Sequence, residues 1–182
     1  MSEPVETGPE QLAPAFNFRV SLKQSAPRGA RLSGDGQDSG GEEILGDGGF
    51  QECSGLEIEM DVQEHQEGGR NDGVVRFVGR GRYSNLVLKR GMFHAADGEV
   101  NPQLWLWIQQ ALDGRHPVRR YDGVVEVLDR RGEPASRVVA TWAFSRGLPA
   151  KISGPSLDAR TGEIAIEEIQ IAHEGLRLEA SS

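Results

Sequence analysis

The chain is poor in cysteine, in aromatic residues, in basic charge and in long apolar runs. Each scarcity excludes something. A lone cysteine, Cys53, forms no internal disulfide, so a disulfide framework is ruled out and a reducing compartment is permitted. The longest apolar run, Val138 to Phe144, falls far short of the roughly 20 residues that a spanning helix needs. The opening MSEPVETGPEQLAPAF is acidic and lacks the apolar segment of a Sec signal, so neither export by that route nor membrane insertion of the monomer is expected. Twenty Lys and Arg stand against 28 Asp and Glu, a formal net charge of −8. General binding to nucleic acid or anionic lipid needs basic surface, and no dedicated nucleic-acid site is expected here.

Glycine, by contrast, is abundant. The 24 glycines in 182 residues exceed the roughly 7% of average usage and call for many turns or loops. With no linker dividing the chain, one domain is expected over residues 16–178, with a flexible arm at 1–15 and a short tail at 179–182. The central stretch is Gly55 to Gly91. Leu56, Ile58, Met60 and Val62 alternate with Glu57, Glu59 and Asp61, the period of a strand with one buried face. Leu86 and Leu88 are in phase on a returning arm, and the polar Glu67 to Gly73 between them reads as a loop. An extended hairpin able to reach another molecule follows.

Upstream, Phe16, Phe18, Val20 and Leu22 alternate with polar residues and predict a first strand. Residues 24–49 are rich in Gly, Ser and Asp, and read as a surface insertion, because structureless loops beyond about 12–15 residues are usually functional or disordered. Downstream, Asn101-Pro102 begins a helix in the preferred way, with Leu104, Trp105, Ile108, Ala111 and Leu112 at helical spacing and Gly114 as its C-terminal cap. Trp105 and Trp107 lie about 200° apart on such a helix, so one of them is available to a partner subunit. Gly123 to Asp129 and Arg137 to Ser145 form a hairpin, followed by a loop and turn region from Leu148. In the last strand, Ile164 and Ile166 are even while Ile169 and Ile171 are odd, which predicts a β-bulge at Glu167-Glu168.

Little converges on catalysis. His65, His94, His116 and His173 have no metal-ligand spacing and read as surface or loop residues. Gly79-Arg80-Gly81-Arg82 and Gly34-Asp35-Gly36 lack the flanking strand, helix and Lys of a phosphate loop, and read as turns. Ser54 lacks a nucleophile elbow, and the pairs Glu42-Glu43 and Glu167-Glu168 are ordinary in so acidic a chain. Lys89-Arg90, with Arg80 and Arg82, reads as interface or surface charge.

A resemblance emerges from the order of short motifs. Phe16-x-Phe-x-Val, Gly49-Phe-Gln-Glu-Cys-Ser-Gly-Leu-Glu57, Glu67-Gly68-Gly69, Tyr83-Ser-Asn-Leu-x-Leu-Lys-Arg-Gly91, Leu104-Trp-x-Trp107, Gly154-Pro155, Ile166-Glu167 and Ala172-His-Glu-Gly-Leu176 together closely resemble the tail-tube family over roughly residues 16–178. Its members are inner-tube proteins of contractile phage tails and extracellular contractile injection systems. The resemblance implies a mainly β (α+β) subunit: a split β-barrel of about six to seven strands with one flanking α-helix, forming hexameric rings that stack into a hollow tube inside a sheath. It implies a structural subunit that is not an enzyme and takes no cofactor or metal. Its partners would be its own copies, the sheath, baseplate and spike proteins and cargo in the lumen, with assembly in the cytoplasm into a phage tail or tail-like particle and release from the cell in some systems. A tube-initiator ring at the baseplate and a secreted effector-carrying ring of the type VI secretion kind remain open alternatives.

The family's hairpin, corresponding to residues 57–82, implies subunit and ring contacts at Glu67, Gly68, Gly69 and Asn71, to which Arg80, Arg82 and Trp107 are added as interface candidates. The insertion at 24–49 departs from the family pattern, and Arg31, Asp35, Ile44 and Leu45 are its candidate partner contacts. Cys53 stands where an aliphatic residue is usual.

Overall fold

The computed structural model describes residues 17–26, 45, 49–66, 73–92, 101–129, 137–158, 160 and 164–179. Nine strands and one helix lie within them. The order is β1 (Phe18–Gln24), β2 (Glu52–Ser54), β3 (Ile58–His65), β4 (Val75–Tyr83), β5 (Leu86–Gly91), α1 (Gln103–Leu112), β6 (Tyr121–Asp129), β7 (Arg137–Ser153), β8 (Ile166–Ala172) and β9 (Gly175–Glu179). The mainly β class with one helix is as expected, and the strands outnumber the six or seven read from alternation. Among the described residues the sheet does not close into a barrel.

One seven-stranded sheet carries the fold, with β1, β6, β7, β8, β5 and β2 side by side and β9 also paired with β7. The 17-residue β7 joins its two halves: Arg137 to Gly147 pair with β6, Thr141 to Ser145 also pair with β9, and Leu148 to Ser153 pair with β8. The loop expected from Leu148 is therefore strand. Pro149 is accommodated beside a register shift between Pro149 and Lys151, since proline donates no ladder hydrogen bond and sits at bulges. Between the two halves, Arg146 adopts φ 56°, and the Asp122 carboxylate accepts its backbone N–H at 2.7 Å and the Ser25 hydroxyl at 2.7 Å.

The core is built from inward positions of these strands. Val20, Leu22, Leu86, Leu88, Val125, Phe144, Ile169, Ile171 and Leu176 are all buried, as alternation requires of a sheet with one covered face. Leu45 joins them at 4% exposure, its N–H donating to the Leu22 carbonyl at 3.1 Å. This corrects the reading of Leu45 as a partner contact on a surface insertion: a branched apolar side chain gains more from the sheet beneath it than from solvent.

Two further expectations are corrected. The apolar phase of β8 does not slip through a bulge, because its pairing with β5 runs in unbroken register from Gly91 opposite Ile166 to Leu86 opposite Ile171. The inward face is Glu167, Ile169 and Ile171, and the first of these is a buried acid, 3% exposed. Its partner Arg90, directly opposite on β5, is 4% exposed and donates through Nε to Glu167 Oε1. Trp105 Nε1–H donates to the other carboxylate oxygen at 2.9 Å.

Helix α1 is placed by these contacts. The Asn101 side chain accepts the Gln103 N–H at 3.1 Å, and Gly114, at φ 72°, ends the helix with its N–H on the Ala111 carbonyl. Both end signals were legible in the sequence. The buried face is Leu104 and Trp107, however, and Leu112 is 80% exposed. Trp107, read as an interface candidate, is thus buried within its own subunit. Its ring meets Tyr121 edge-on at 4.8 Å and its N–H donates to the Arg119 carbonyl at 2.9 Å, so both the apolar body and the polar tip are satisfied inside one subunit.

Removing one member of a buried ion pair leaves an uncompensated charge, whereas replacing both by apolar groups of similar size can be nearly neutral. Glu167→Ala is expected to lower unfolding free energy by about 3–5 kcal/mol, and the double change Arg90→Met with Glu167→Leu to recover most of that loss. Leu45→Ala is expected to cost about 2–5 kcal/mol, as for other buried leucines, whereas a surface residue would cost under about 0.5 kcal/mol. Denaturant unfolding of the dissociated subunit measures all three.

Candidate interaction site

Strands β3 and β4 form a two-stranded ribbon separate from the main sheet. Among the described residues each packs mainly on the other. The hairpin expected at Gly55 to Gly91 exists, but its return arm is Val75–Tyr83; Leu86 and Leu88 belong to the core strand β5. The Gly79 to Arg82 segment, read as a turn, lies in β4.

The faces of the ribbon follow from its register. Ile58 pairs with Tyr83, Glu59 with Arg82 and Met60 with Gly81; beyond a shift, Val62 pairs with Val78, Gln63 with Phe77 and Glu64 with Arg76. Between Met60 and Val62 only Asp61 intervenes, whereas two residues, Gly79 and Arg80, intervene on β4. That is a β-bulge, and it carries Tyr83, Gly81 and Val78 to the same face as Ile58, Met60 and Val62. Without it a period-2 strand would send Val78 and Tyr83 to opposite faces. Glycine is required at position 79, where a Cβ would lie 2.9 Å from the Asp61 carbonyl oxygen.

The result is an apolar stripe open to solvent. Ile58 is 54% exposed, Met60 49%, Val62 61%, Val78 74% and Tyr83 42%. The alternation of β3 led to an expectation of a buried face, and among the described residues that face has no cover. Toward the tip the stripe ends at the Arg76–Glu64 ion pair, 3.0 Å. The opposite face is polar over most of its length, with Glu59, Gln63 and the Arg82–Asp61 ion pair at 3.0 Å. Phe77 breaks this pattern, and His65 packs against it at 6.4 Å.

Of the residues read as contacts from sequence, Arg80 and Arg82 are exposed on β4. Glu67, Gly68, Gly69 and Asn71 at the tip, and Arg31, Asp35 and Ile44 in the insertion, lie outside the described residues. Lys89 and Arg90 do not form a patch with Arg80 and Arg82. Arg90 points inward to Glu167, and Lys89 is held by Glu52 at 2.9 Å, whose hydrogen bond raises the Lys89 pKa. Sequence reasoning missed Ile58, Met60, Val62, Val78 and Tyr83 as contact candidates, because an alternating strand looks the same whether its own subunit or another one covers it.

No arrangement for chemistry gathers elsewhere among the described residues. No three His, Cys, Asp or Glu side chains converge on a metal-sized position. A pocket of about 170 Å³ beside Trp107 is lined by Gln110, Arg115, His116 and Arg119, with no hydroxyl, thiol or carboxylate to pair with the imidazole. No helix among the described residues is long and apolar enough to cross a membrane. Cys53 packs against the core from β2, and burial pushes its thiol from 9.0 to about 11.

A family model described as T4-like virus tail tube protein gp19 matches residues 14–177. Among solved structures, a chain of the anti-feeding prophage (AFP) baseplate, 6-fold symmetrised, superposes with a TM-score of 0.71 at 23% identity, covering 94% of this chain and 97% of that one. A chain of the sheath–tube complex of PVC, an extracellular contractile injection system, in its extended state, gives 0.70 at 23% identity, covering 94% of each. A chain of the AFP tube-terminating cap gives 0.69 at 20% identity, covering 97% and 96%. No curated protein sequence matches.

The thiol offers a check on the placement of β2. Because the thiolate is the reactive form, raising the pKa by about two units slows alkylation about a hundredfold near pH 8. Iodoacetamide labelling of the folded protein should show that deficit relative to the protein unfolded in denaturant. Equal rates would place Cys53 in open solvent.

Proposed function

The chain belongs to the family of T4-like virus tail tube proteins, and we propose that it builds the wall of a tube by packing the apolar face of its β3–β4 ribbon against neighbouring copies. The observation that carries this reading is the stripe of Ile58, Met60, Val62, Val78 and Tyr83, ordered by a bulge onto one side of a ribbon and left uncovered among the described residues. A contiguous apolar face on a soluble protein marks an interaction site.

The partner is another copy at a different surface. The stripe and the outer edges of β1 and β2 are different parts of one subunit, so contacts between them are heterologous, and such contacts close into a ring when the rotation permits. Six copies per ring is the number we propose, supported by the six-fold symmetry of the AFP baseplate that holds a similar chain. Rings stack through the ribbon tips, and the tube meets a sheath outside it, a baseplate and spike at one end, and cargo within. Its role is mechanical and not catalytic. Assembly takes place in the cytoplasm, into a phage tail or tail-like particle.

Val78→Asp places a charge at the most exposed point of the stripe. It is expected to leave the stability of the isolated subunit within about 0.5 kcal/mol, because surface changes rarely do more, while abolishing rings and tubes in negative-stain micrographs and sedimentation. Unimpaired rings from this variant would remove the ribbon from the interface. Strictly monomeric wild-type protein at high concentration would remove the assembly itself.

A further inference from the structure

The ribbon needs a root. Its two strands leave the main sheet near Gly55 and rejoin it at Ser84, where the Ser84 hydroxyl donates to Glu57 Oε2 at 3.1 Å. The one aromatic side chain at that root is Tyr83, the last residue of β4 and part of the apolar stripe. Its ring meets the imidazole of His173 at 5.4 Å, tilted by 46°. His173, on the short connection between β8 and β9, also meets the core ring of Phe144 at 5.7 Å and 43°. One imidazole therefore couples the ribbon to the core.

Burial tips the balance of that ring's environment toward its neutral form, against the backbone groups of Gly175 and Ser84. Both ring nitrogens are shielded from solvent, and they face the backbone of Ser84 and Gly175 without making a hydrogen bond of ordinary geometry. The adjacent carboxylate, Glu174, is shared between Arg120 at 2.8 Å and Arg146 at 3.0 Å. The charged or titratable groups that adjoin the imidazole or its neighbours are Tyr83 from β4, in ring contact, Glu174 beside it, Arg146 from β7 and Arg120 ahead of β6 through their pairs with Glu174, and Glu57 through Ser84. Among the described residues His173 forms no ion pair with a carboxylate, and Glu174 is already engaged by two guanidinium groups.

We propose that His173 is an acid-sensitive pin for the β3–β4 ribbon: neutral, its ring holds Tyr83 against the Phe144 side of the core, and protonation expels the ring and frees the ribbon to swing. Burial lowers the pKa of His173 below the ordinary 6.5, a stronger influence than the backbone groups of Gly175 and Ser84 that act the other way. The sign is then fixed. A depressed folded-state pKa on a base means the packed conformation binds the proton less well than the released one, so its stabilisation is complete above 6.5 and is lost as pH falls below that value. The inference concerns the root of the ribbon within one subunit and does not rest on ring formation.

Amide hydrogen exchange, corrected for intrinsic rate and read by mass spectrometry at about pH 8 and about pH 5, tests it. In wild-type protein the protection of Val75–Tyr83 should fall about fivefold relative to β5 and β8 on acidification. His173→Phe, which keeps an aromatic ring that takes no proton, should show no such fall, and His173→Leu serves the same purpose if the Phe variant does not fold. An equal fall in these variants, or none in wild type, overturns the proposal. Sedimentation of the same samples separates this from assembly: the fall in protection counts for the pin when it occurs in wild type and not in the variants at equal oligomeric size, and a fall that follows the oligomeric size equally in wild type and variants overturns it.

Discussion

A guanidinium and a carboxylate almost sealed from water join β5 to β8, and much of the subunit is arranged around satisfying them. Arg90 and Glu167 face each other across the ladder, and the second carboxylate oxygen takes the indole N–H of Trp105 from α1. Leaving either charge alone in the interior costs several kcal/mol, so the arrangement is all or nothing. A slip of one residue between β5 and β8 would turn Glu167 outward and strand Arg90. The pair therefore selects a register, and through Trp105 it also selects where the helix lies on the sheet.

The ribbon follows the opposite logic. Where the core hides charge by pairing it, β3 and β4 display apolar side chains and keep them in one line by an irregularity, the bulge at Asp61 opposite Gly79 and Arg80. A regular hairpin with the same residues would scatter them over two faces. The apolar stripe runs back to the root, where Tyr83, His173 and Phe144 connect it to the interior. A member of a tail-tube family thus has a main sheet, a separate ribbon with an exposed apolar stripe, and aromatic contacts between them among the described residues.

Much of this was legible in the chain. The alternation of Phe18 to Lys23 and the paired strands β6 and β7 appear where the pattern puts them, and α1 ends within a residue of where Asn101 and Gly114 put it, with Pro102 and Asp113 as the capping residues. The errors are instructive because each has a physical cause. Ile164 and Ile166 looked like the inward phase of β8 because an acid at an inward position violates the hydrophobic pattern, and only its partner Arg90, 77 residues earlier, removes the violation. Pro149 looked like the end of β7 because proline is excluded from regular ladders, and a register shift makes room for it. Trp107 looked available because it lies about 200° from Trp105 on α1, and Tyr121 is what it packs against.

By itself the sequence determined the class of fold, the positions of most strands, the helix ends and, through the order of its motifs, the family. These depend on local period and turn chemistry, which a chain carries residue by residue. Tertiary structure alone decided which alternating strands are buried and which are left exposed, why one acid and one arginine belong inside, and that Leu45 belongs to the core. Each of those depends on what lies opposite a side chain across the fold, and no local pattern contains that information.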